Sequence, residues 1–209
     1  GQGIKVQSLV TKSCGDNKIR VPTLKQFNED ECDNSGFEGA IVLDPDTGIY
    51  LNDPIAVLDY ASLYPTSINE KNLSHNTYLG EYELIKDKIE NFGWKEGDDY
   101  NRIKYYDYEY INKPGTSIIE KIAVYSDEND ENGTKKQKEI DCVFLTEKKK
   151  KGIIPLVVSE LLNARKATKK LLKNEKDENK KKVLDGYQLA YKLTANSVYG
   201  QLGAKTSSI

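Results

Sequence analysis

The chain has 209 residues, of which 37% are hydrophobic and 31% are charged, and its formal net charge is -2. This composition is typical of a globular domain and excludes collagen-like and low-complexity proteins. No apolar run is long enough to cross a bilayer, and three scattered cysteines with one histidine argue against a zinc site but suit a reducing intracellular compartment. The chain opens at Gly1 and contains no methionine, so we expect an internal piece of a longer protein.

The first 51 residues alternate between polar loops and short apolar runs. Residues 1–35 predict a short helix or loop, followed by a polar loop at 28–35. The apolar residues 39–43 favour a strand, residues 44–48 a turn, and residues 49–51 the hairpin partner of that strand.

A second apolar run, Ile55–Leu58, predicts a buried strand that ends at Asp59. Ser62 and Pro65 then interrupt the extended pattern. Residues 60–68 are therefore predicted to change from strand through turn to helix.

Residues 97–146 contain tyrosine-rich segments in which apolar and polar side chains alternate. This pattern predicts strands at 102–111, 118–125 and 140–146. We predict a mobile hairpin loop at 127–138.

The last third of the chain is predicted to form two helices. Residues 153–174 place Pro155 in a first turn and leucines on one side. A polar turn at 174–182 precedes a second helix at 182–199, which Gly200 is expected to stop. Helices joined by a short turn are expected to lie antiparallel.

The segment between Arg165 and Lys182 is strongly basic, with nine Lys or Arg against three acidic residues and a local net charge of +6. A basic block in a mildly acidic protein indicates a local anionic partner. The alternative is a solvated helix surface without a partner.

The first candidate motif opens at Asp59 and reads D-Y-A-S-L-Y-P-T-S-I. A carboxylate at a sheet edge, followed by turn amides, suits a divalent metal ion that carries a triphosphate. An aspartate that only caps a turn is the alternative interpretation.

The second candidate motif, K-L-T-A-N-S-V-Y-G, begins at Lys192. Lys192 and Asn196 are four residues apart and share a helix face, with Tyr199 close by. The following Gly200 permits close backbone approach. An ordinary amphipathic helix end is the alternative.

The third candidate pair is Arg165 and Lys169, which are also four residues apart. In an antiparallel hairpin these two cations can share one face with Lys192. Because three converging cations repel one another, the pattern favours a bound triphosphate. The alternative is that the three side chains splay into solvent.

Together, these motifs resemble those of the family B DNA polymerases. The family carries D-x-x-S-L-Y-P-S as motif A and K-x-x-x-N-S-x-Y-G as motif B, and this chain differs in motif A only by Thr66 in place of serine. Gly1–Lys5 resembles the segment before the palm in the delta-like branch, and Phe37–Ala40 resembles the element between exonuclease and polymerase regions. The likeness points to polymerases of large DNA viruses or their eukaryotic relatives.

The resemblance implies an α+β fold, with a partial polymerase palm of antiparallel sheet and helices and an antiparallel two-helix fingers hairpin. Residues 1–150 would form the partial palm, with a pre-palm segment and a β-rich insertion. Residues 151–200 would form the fingers hairpin, and residues 201–209 the start of the return to the palm.

The resemblance also implies roles for the motif A residues. Asp59 would bridge two Mg²⁺ ions, with the backbone carbonyl of Tyr60 as a further metal ligand. The amides of Ser62 and Leu63 would hold the incoming triphosphate. Tyr64 would be the steric gate that excludes a 2′-hydroxyl group, and a core aromatic is the alternative role.

In the fingers, the resemblance implies that Arg165, Lys169 and Lys192 bind the triphosphate. Asn196 would lie near the nucleotide. Tyr199–Gly200 would form the surface that packs on the nascent base pair.

The implied activity is that of a DNA-directed DNA polymerase, which adds deoxynucleotides to a primer 3′-hydroxyl by two-metal phosphoryl transfer. The implied partners are primer–template DNA, deoxynucleoside triphosphates and, for the full-length protein, a sliding clamp. The implied location is intracellular, in the nucleus or at a viral replication site, with no membrane.

One departure from the family pattern qualifies this expectation. The family's motif C, Y-G-D-T-D-S, does not occur before Ile209, so we expect residues 1–209 alone not to polymerise DNA. Two alternatives stay open from the sequence. One is a catalytically inactive nucleic-acid-binding module with the same fold, and the other is a structural protein with a basic helical hairpin.

Overall fold

The computed structural model describes residues 1–21, 46–49, 51, 54–112, 119–129 and 135–202. The helices in these ranges are α1 (Gln2–Asp16), α2 (Leu63–Lys71), α3 (Tyr82–Phe92), α4 (Ile153–Asn174) and α5 (Glu178–Leu202). The strands are β1 (Tyr78–Glu81), β2 (Tyr100–Tyr106), β3 (Tyr108–Asn112), β4 (Ile119–Ala123), β5 (Tyr125–Asn129), β6 (Lys135–Gln137) and β7 (Glu139–Leu145). Helices combined with antiparallel sheets confirm the predicted α+β class.

The largest apolar cluster lies where α1, α2 and the adjoining ends of α4 and α5 meet. Val6 and Val10 of α1 are four residues apart, as are Ile154 and Val158 of α4, so each pair lies on one helix face. These four side chains and Val198 of α5 are almost completely buried. Within the described residues of α4, no buried side chain lies beyond Val158, so the helix leaves the core after about two turns.

Helices α4 and α5 form the predicted antiparallel hairpin. Residues 175–177 join them, and the Nε of Arg165 on α4 donates a hydrogen bond to the Oε1 of Gln188 on α5 at 3.4 Å. The second helix begins before the predicted position because the carboxylate of Asp177 accepts hydrogen bonds from the first amides of α5, including that of Asn179 at 2.8 Å.

The prediction that Gly200 stops the second helix is wrong, since α5 continues through Gly200 to Leu202. A glycine inside a helix costs only about 1 kcal/mol relative to alanine. Val198 is buried in the helical core and Leu202 packs against it. We infer that this packing outweighs the cost of the glycine.

A three-stranded antiparallel sheet with the order β1-β7-β2 forms the second part of the fold. Helix α3, which the sequence analysis did not assign, covers one face of this sheet. Ile89 of α3 is buried against Tyr100 of β2 and Val143 of β7. Within the described residues no helix is both long enough and apolar enough to cross a membrane.

The predicted strands at 102–111 and 118–125 are each interrupted at one residue, Asp107 and Val124. The backbone N–H of Asp107 donates to the carbonyl of Lys138 at 2.8 Å, that of Lys138 to Val124 at 2.8 Å, and that of Val124 to Asp107 at 3.1 Å. Three strand pairs, β2 with β7, β3 with β4 and β5 with β6, diverge from this ring of bonds. The predicted loop at 127–138 is therefore wrong where β5 and β6 occupy it.

The prediction of a buried strand at Ile55–Leu58 is also wrong. These residues have no regular structure and are exposed, Leu58 to 94%. A strand needs a partner for its backbone groups, and none of the described strands pairs with this run. Ile49 and Leu51 are likewise exposed and outside any strand, and the expectations for residues 22–45 lie outside the described residues.

Gly152 occupies a position before α4 that has no room for a side chain. A Cβ atom there would lie 2.9 Å from the Cβ of Ser74, 2.9 Å from the Cδ of Pro155 and 3.0 Å from the Oδ1 of Asn72. By contrast, a Cβ on the helical Gly186 would meet nothing within 4 Å.

We therefore expect Gly152→Ala to destabilise the protein by about 1–3 kcal/mol, because overpacking forces its neighbours apart. The matched control, Gly186→Ala, should not lower stability, since alanine favours a helix. Thermal unfolding of both variants beside the parent protein measures the difference. Equal melting temperatures for Gly152→Ala and the parent would contradict the close packing.

Candidate nucleotide-binding site

Motif A folds into a tight turn that begins α2. Ser62 adopts left-handed backbone angles, φ 58° and ψ 59°, directly before the helix. The backbone N–H of Thr66 donates to the carbonyl of Ser62 at 2.9 Å, and its hydroxyl donates to the carbonyl of Ala61 at 3.0 Å. The amides of Leu63 and Tyr64 belong to the first turn, where N–H groups have no acceptor within the helix. This turn can therefore attract an anion.

Asp59 and Tyr60 lie immediately before this turn, and both are exposed. A carboxylate and a backbone carbonyl are oxygen ligands of the kind that Mg²⁺ prefers, so the two residues fit part of a metal site. In the described part of the chain no three Asp, Glu, His or Cys residues cluster closely enough to hold a metal ion. Two ions would need further oxygen ligands.

The side chains of Tyr64 and Tyr199 stack on each other, with ring centroids 4.1 Å apart and planes 11° from parallel. Tyr64 belongs to motif A on α2, and Tyr199 belongs to motif B on α5. Pro65 and Ile68 of α2 are buried, and Ile68 packs in the helical core. The stack therefore joins the two motifs in one place, a contact that no local spacing in the sequence could indicate.

Three motif B residues form a stripe along α5 that starts at the stacked rings. Lys192, Asn196 and Tyr199 are separated by four and three residues, which places them on one helix face. Lys192 and Asn196 are exposed, whereas Tyr199 is half-buried. The stripe extends from the tyrosine stack for about 10 Å along the hairpin of α4 and α5.

Arg165 lies beside this stripe because it bonds to Gln188, which precedes Lys192 by one helical turn. Lys169 follows Arg165 by one turn on α4 and is exposed. The sequence analysis missed Gln188, since a glutamine on a helix carries no signal of this kind. Among the described residues, none of the three cations forms an ion pair with a carboxylate.

The cations thus follow one another along the hairpin at intervals of about one turn. Such a row of unneutralised charge suits an extended polyanion. The predicted approach of Asp59 to this row stays a prediction. The described link between them is indirect: Asp59 lies five residues before Tyr64, whose ring meets the stripe at Tyr199.

Comparison with known proteins decides the family. The model of DNA polymerase family B matches residues 1–209, the whole length of this chain. The chain belongs to DNA polymerase family B. The family predicted from motifs A and B is therefore confirmed.

Two family B relatives share substantial identity with the chain. The DNA polymerase of Phaeocystis pouchetii virus is 40% identical over 221 residues, which cover 100% of this chain and 20% of the relative. The DNA polymerase delta catalytic subunit of Candida albicans is 36% identical over 209 residues, which cover 100% of this chain and 16% of the relative. The chain thus spans a fifth or less of these relatives, and they agree with the predicted viral and delta-like affinity.

The fold also resembles a solved structure, that of the family B DNA polymerase from the hyperthermophilic archaeon Pyrobaculum calidifontis. The TM-score is 0.56 at 23% sequence identity, and the match covers 100% of this chain and 20% of the archaeal chain. At this identity the likeness supports the fold alone.

The tyrosine stack predicts a measurable coupling between the two motifs. In a double-mutant cycle of Tyr64→Leu and Tyr199→Leu, we expect a coupling free energy of about 0.5–1.5 kcal/mol. The apparent free energy of unfolding is the quantity to measure. Tyr64→Leu combined with Tyr105→Leu, on the separate sheet, should be additive, and additivity for Tyr64 with Tyr199 would contradict the stack.

Proposed function

We propose that the protein containing this chain is a DNA-directed DNA polymerase that extends a primer 3′-hydroxyl as a template directs. Membership of DNA polymerase family B supports the reaction. The stack of Tyr64 on Tyr199 is the single observation that carries the site, because it brings motif A and motif B together. Nucleotide addition requires residues from both motifs to act on one substrate.

Arg165, Lys169 and Lys192 are proposed to bind the triphosphate of the incoming nucleotide. Arginine can bond two phosphate oxygens at once, whereas each lysine supplies a compact positive charge. The amides of Ser62 and Leu63, at the positive end of the α2 dipole, would add further donors. Fixed charges of this kind stabilise the negative charge that develops as pyrophosphate leaves.

Family B DNA polymerases generally use divalent metal ions, and we propose two Mg²⁺ ions for the intact enzyme. Asp59 and the carbonyl of Tyr60 would hold them together with further oxygen ligands. When bound, the ions lower the pKa of the primer hydroxyl and neutralise the triphosphate. Asp59 keeps its exposed carboxylate directly before the anion-attracting turn of α2, so substrate phosphates and metal ligands would share one end of that helix.

Tyr64 is proposed to select the sugar, and Asn196 and Tyr199–Gly200 to contact the nucleotide and the nascent base pair. The ring of Tyr64 lies flat on that of Tyr199, so it cannot easily move aside for a 2′-hydroxyl group. A Cβ on Gly200 would meet nothing within 4 Å, which leaves an open backbone surface beside the stack. Such a surface suits the flat edge of a base pair.

The proposed partners are primer–template DNA, deoxynucleoside triphosphates and, for the full-length protein, a sliding clamp. The proposed location is an intracellular replication site, either the nucleus or a viral one. Viral DNA polymerases and delta catalytic subunits among the relatives support this extension.

Asp59→Asn in the full-length protein should reduce primer extension by at least about 10³-fold, because it removes a charged metal ligand. The affinity for primer–template DNA should stay within about twofold of that of the parent protein, because the substitution removes no contact with DNA. Primer extension assays and fluorescence anisotropy measure the two quantities. Asp87→Asn, which removes an exposed carboxylate on α3, is the matched control, and wild-type synthesis by Asp59→Asn would refute the assignment.

Tyr64→Ala should raise the ratio of ribonucleotide to deoxynucleotide incorporation on the order of 10²-fold, since the barrier to the 2′-hydroxyl is removed. Tyr60→Phe, which keeps the backbone carbonyl and loses only an exposed hydroxyl, should leave the ratio unchanged. Single-nucleotide incorporation kinetics with both sugars give the ratio. Unchanged sugar discrimination in Tyr64→Ala would remove Tyr64 from the gate role.

A further inference from the structure

Asn72 connects the end of the motif A helix to the start of the fingers. Its residue is 1% exposed and adopts left-handed angles at the end of α2. Its Nδ2 donates to the carbonyls of Leu145 and Lys150, each at 2.8 Å, and its Oδ1 accepts the N–H of Gly152 at 2.8 Å. One buried amide thus bonds the end of β7, the following loop and the residue before α4.

Two neighbouring side chains continue this pattern. The Oδ1 of Asn76 accepts the N–H of Ile153 at 3.0 Å, and the Oγ of Ser74 accepts the N–H of Ile154 at 3.3 Å. The hydroxyl of Ser74 also donates to the Oδ1 of Asn76 at 2.6 Å. We call Asn72, Ser74 and Asn76 the α4 clasp.

The α4 clasp replaces a local helix cap. The first N–H groups of a helix have no acceptor within it, and Gly152 has no side chain to supply one. Three consecutive amides are instead bonded by side chains from a segment about 80 residues away in the sequence. Three bonds to three successive residues constrain direction as well as position, so the α4 clasp restricts the angle at which α4 leaves the core.

The two α4 cations that are proposed to bind the nucleotide lie far from the α4 clasp along one continuous helix. Arg165 is 13 residues beyond Gly152 and Lys169 is 17, distances of about 20 Å and 26 Å along the axis. A change of about 5° in the angle of α4 would therefore move these side chains by about 2 Å. The other end of α2 carries Ser62 and Tyr64, so one short helix separates the α4 clasp from motif A.

Resting on the proposed polymerase function, we propose that Asn72 is a positioning residue for nucleotide binding. It touches no substrate. It fixes the angle between α2 and α4, and thereby places Arg165 and Lys169 relative to the motif A turn. Loss of its bonds weakens nucleotide binding more than it slows turnover of the bound nucleotide.

Asn72→Asp in the full-length polymerase is the sharpest test. The substitution keeps the shape and the acceptor for Gly152, but it removes both donors to Leu145 and Lys150. We expect the KM for deoxynucleotides to rise at least about tenfold, with kcat falling less than about threefold. The Kd for primer–template DNA should not change.

Thr146→Val is the matched control, because Thr146 is a buried polar residue in the same loop. Its hydroxyl donates to the carbonyl of Asp98 at 2.6 Å and bonds no residue of α4. We expect Thr146→Val to lower the melting temperature while it leaves the KM unchanged. An equal rise in KM for both variants would overturn the proposal, since general destabilisation would then explain it.

Ser74→Ala provides a milder variant should Asn72→Asp fail to fold. It removes one bond to α4, and we expect the KM for deoxynucleotides to rise about threefold. A wild-type KM in every folded clasp variant would overturn the positioning role. Failure of the proposed function would look different, because the parent protein would then lack primer extension that depends on Asp59.

Discussion

The first turn of α4 must be buried, and its backbone N–H groups must still be bonded. Ile153–Val158 supplies most of the apolar surface that α4 contributes to the helical core. Burying this turn would cost about 1–3 kcal/mol for each amide left without an acceptor. Asn72 and its two neighbours supply those acceptors, so the apolar and polar requirements are met at the same point. The rest of the hairpin of α4 and α5 can then project from a fixed base.

In this arrangement, the residues that stabilise the fold and the residues that carry the positive charge lie at different ends of the hairpin. The buried end of the hairpin holds the fold together, while the exposed length carries a local net charge of +6 in a chain whose total is -2. The cations on the projecting part of the hairpin are hydrated, so water and salt ions screen the repulsion between them. The fold can therefore carry this local excess of positive charge without a large cost in stability.

The β-rich part of the described chain is attached to the same base through β7. One end of the β2 and β7 ladder pairs Tyr100 with Leu145, whose carbonyl accepts a bond from Asn72. Along the ladder, Arg102 is paired with Asp141, which raises the pKa of the guanidinium, and the same side chain lies over the ring of Tyr82. The strands then diverge into three pairs at the ring of backbone bonds formed by Asp107, Val124 and Lys138.

The sequence by itself determined the family, the two motifs and the two long helices α4 and α5, because a helix face and a motif depend on residues that are close together in the sequence. It also indicated strands in the tyrosine-rich region, though not their division at Asp107 and Val124. Only the tertiary structure decided that Ile55–Leu58 is exposed and that Gly200 remains helical. The stack of Tyr64 on Tyr199 and the bonds of Asn72 likewise join segments more than 70 residues apart. Such contacts depend on how the whole chain packs, and no local periodicity specifies them.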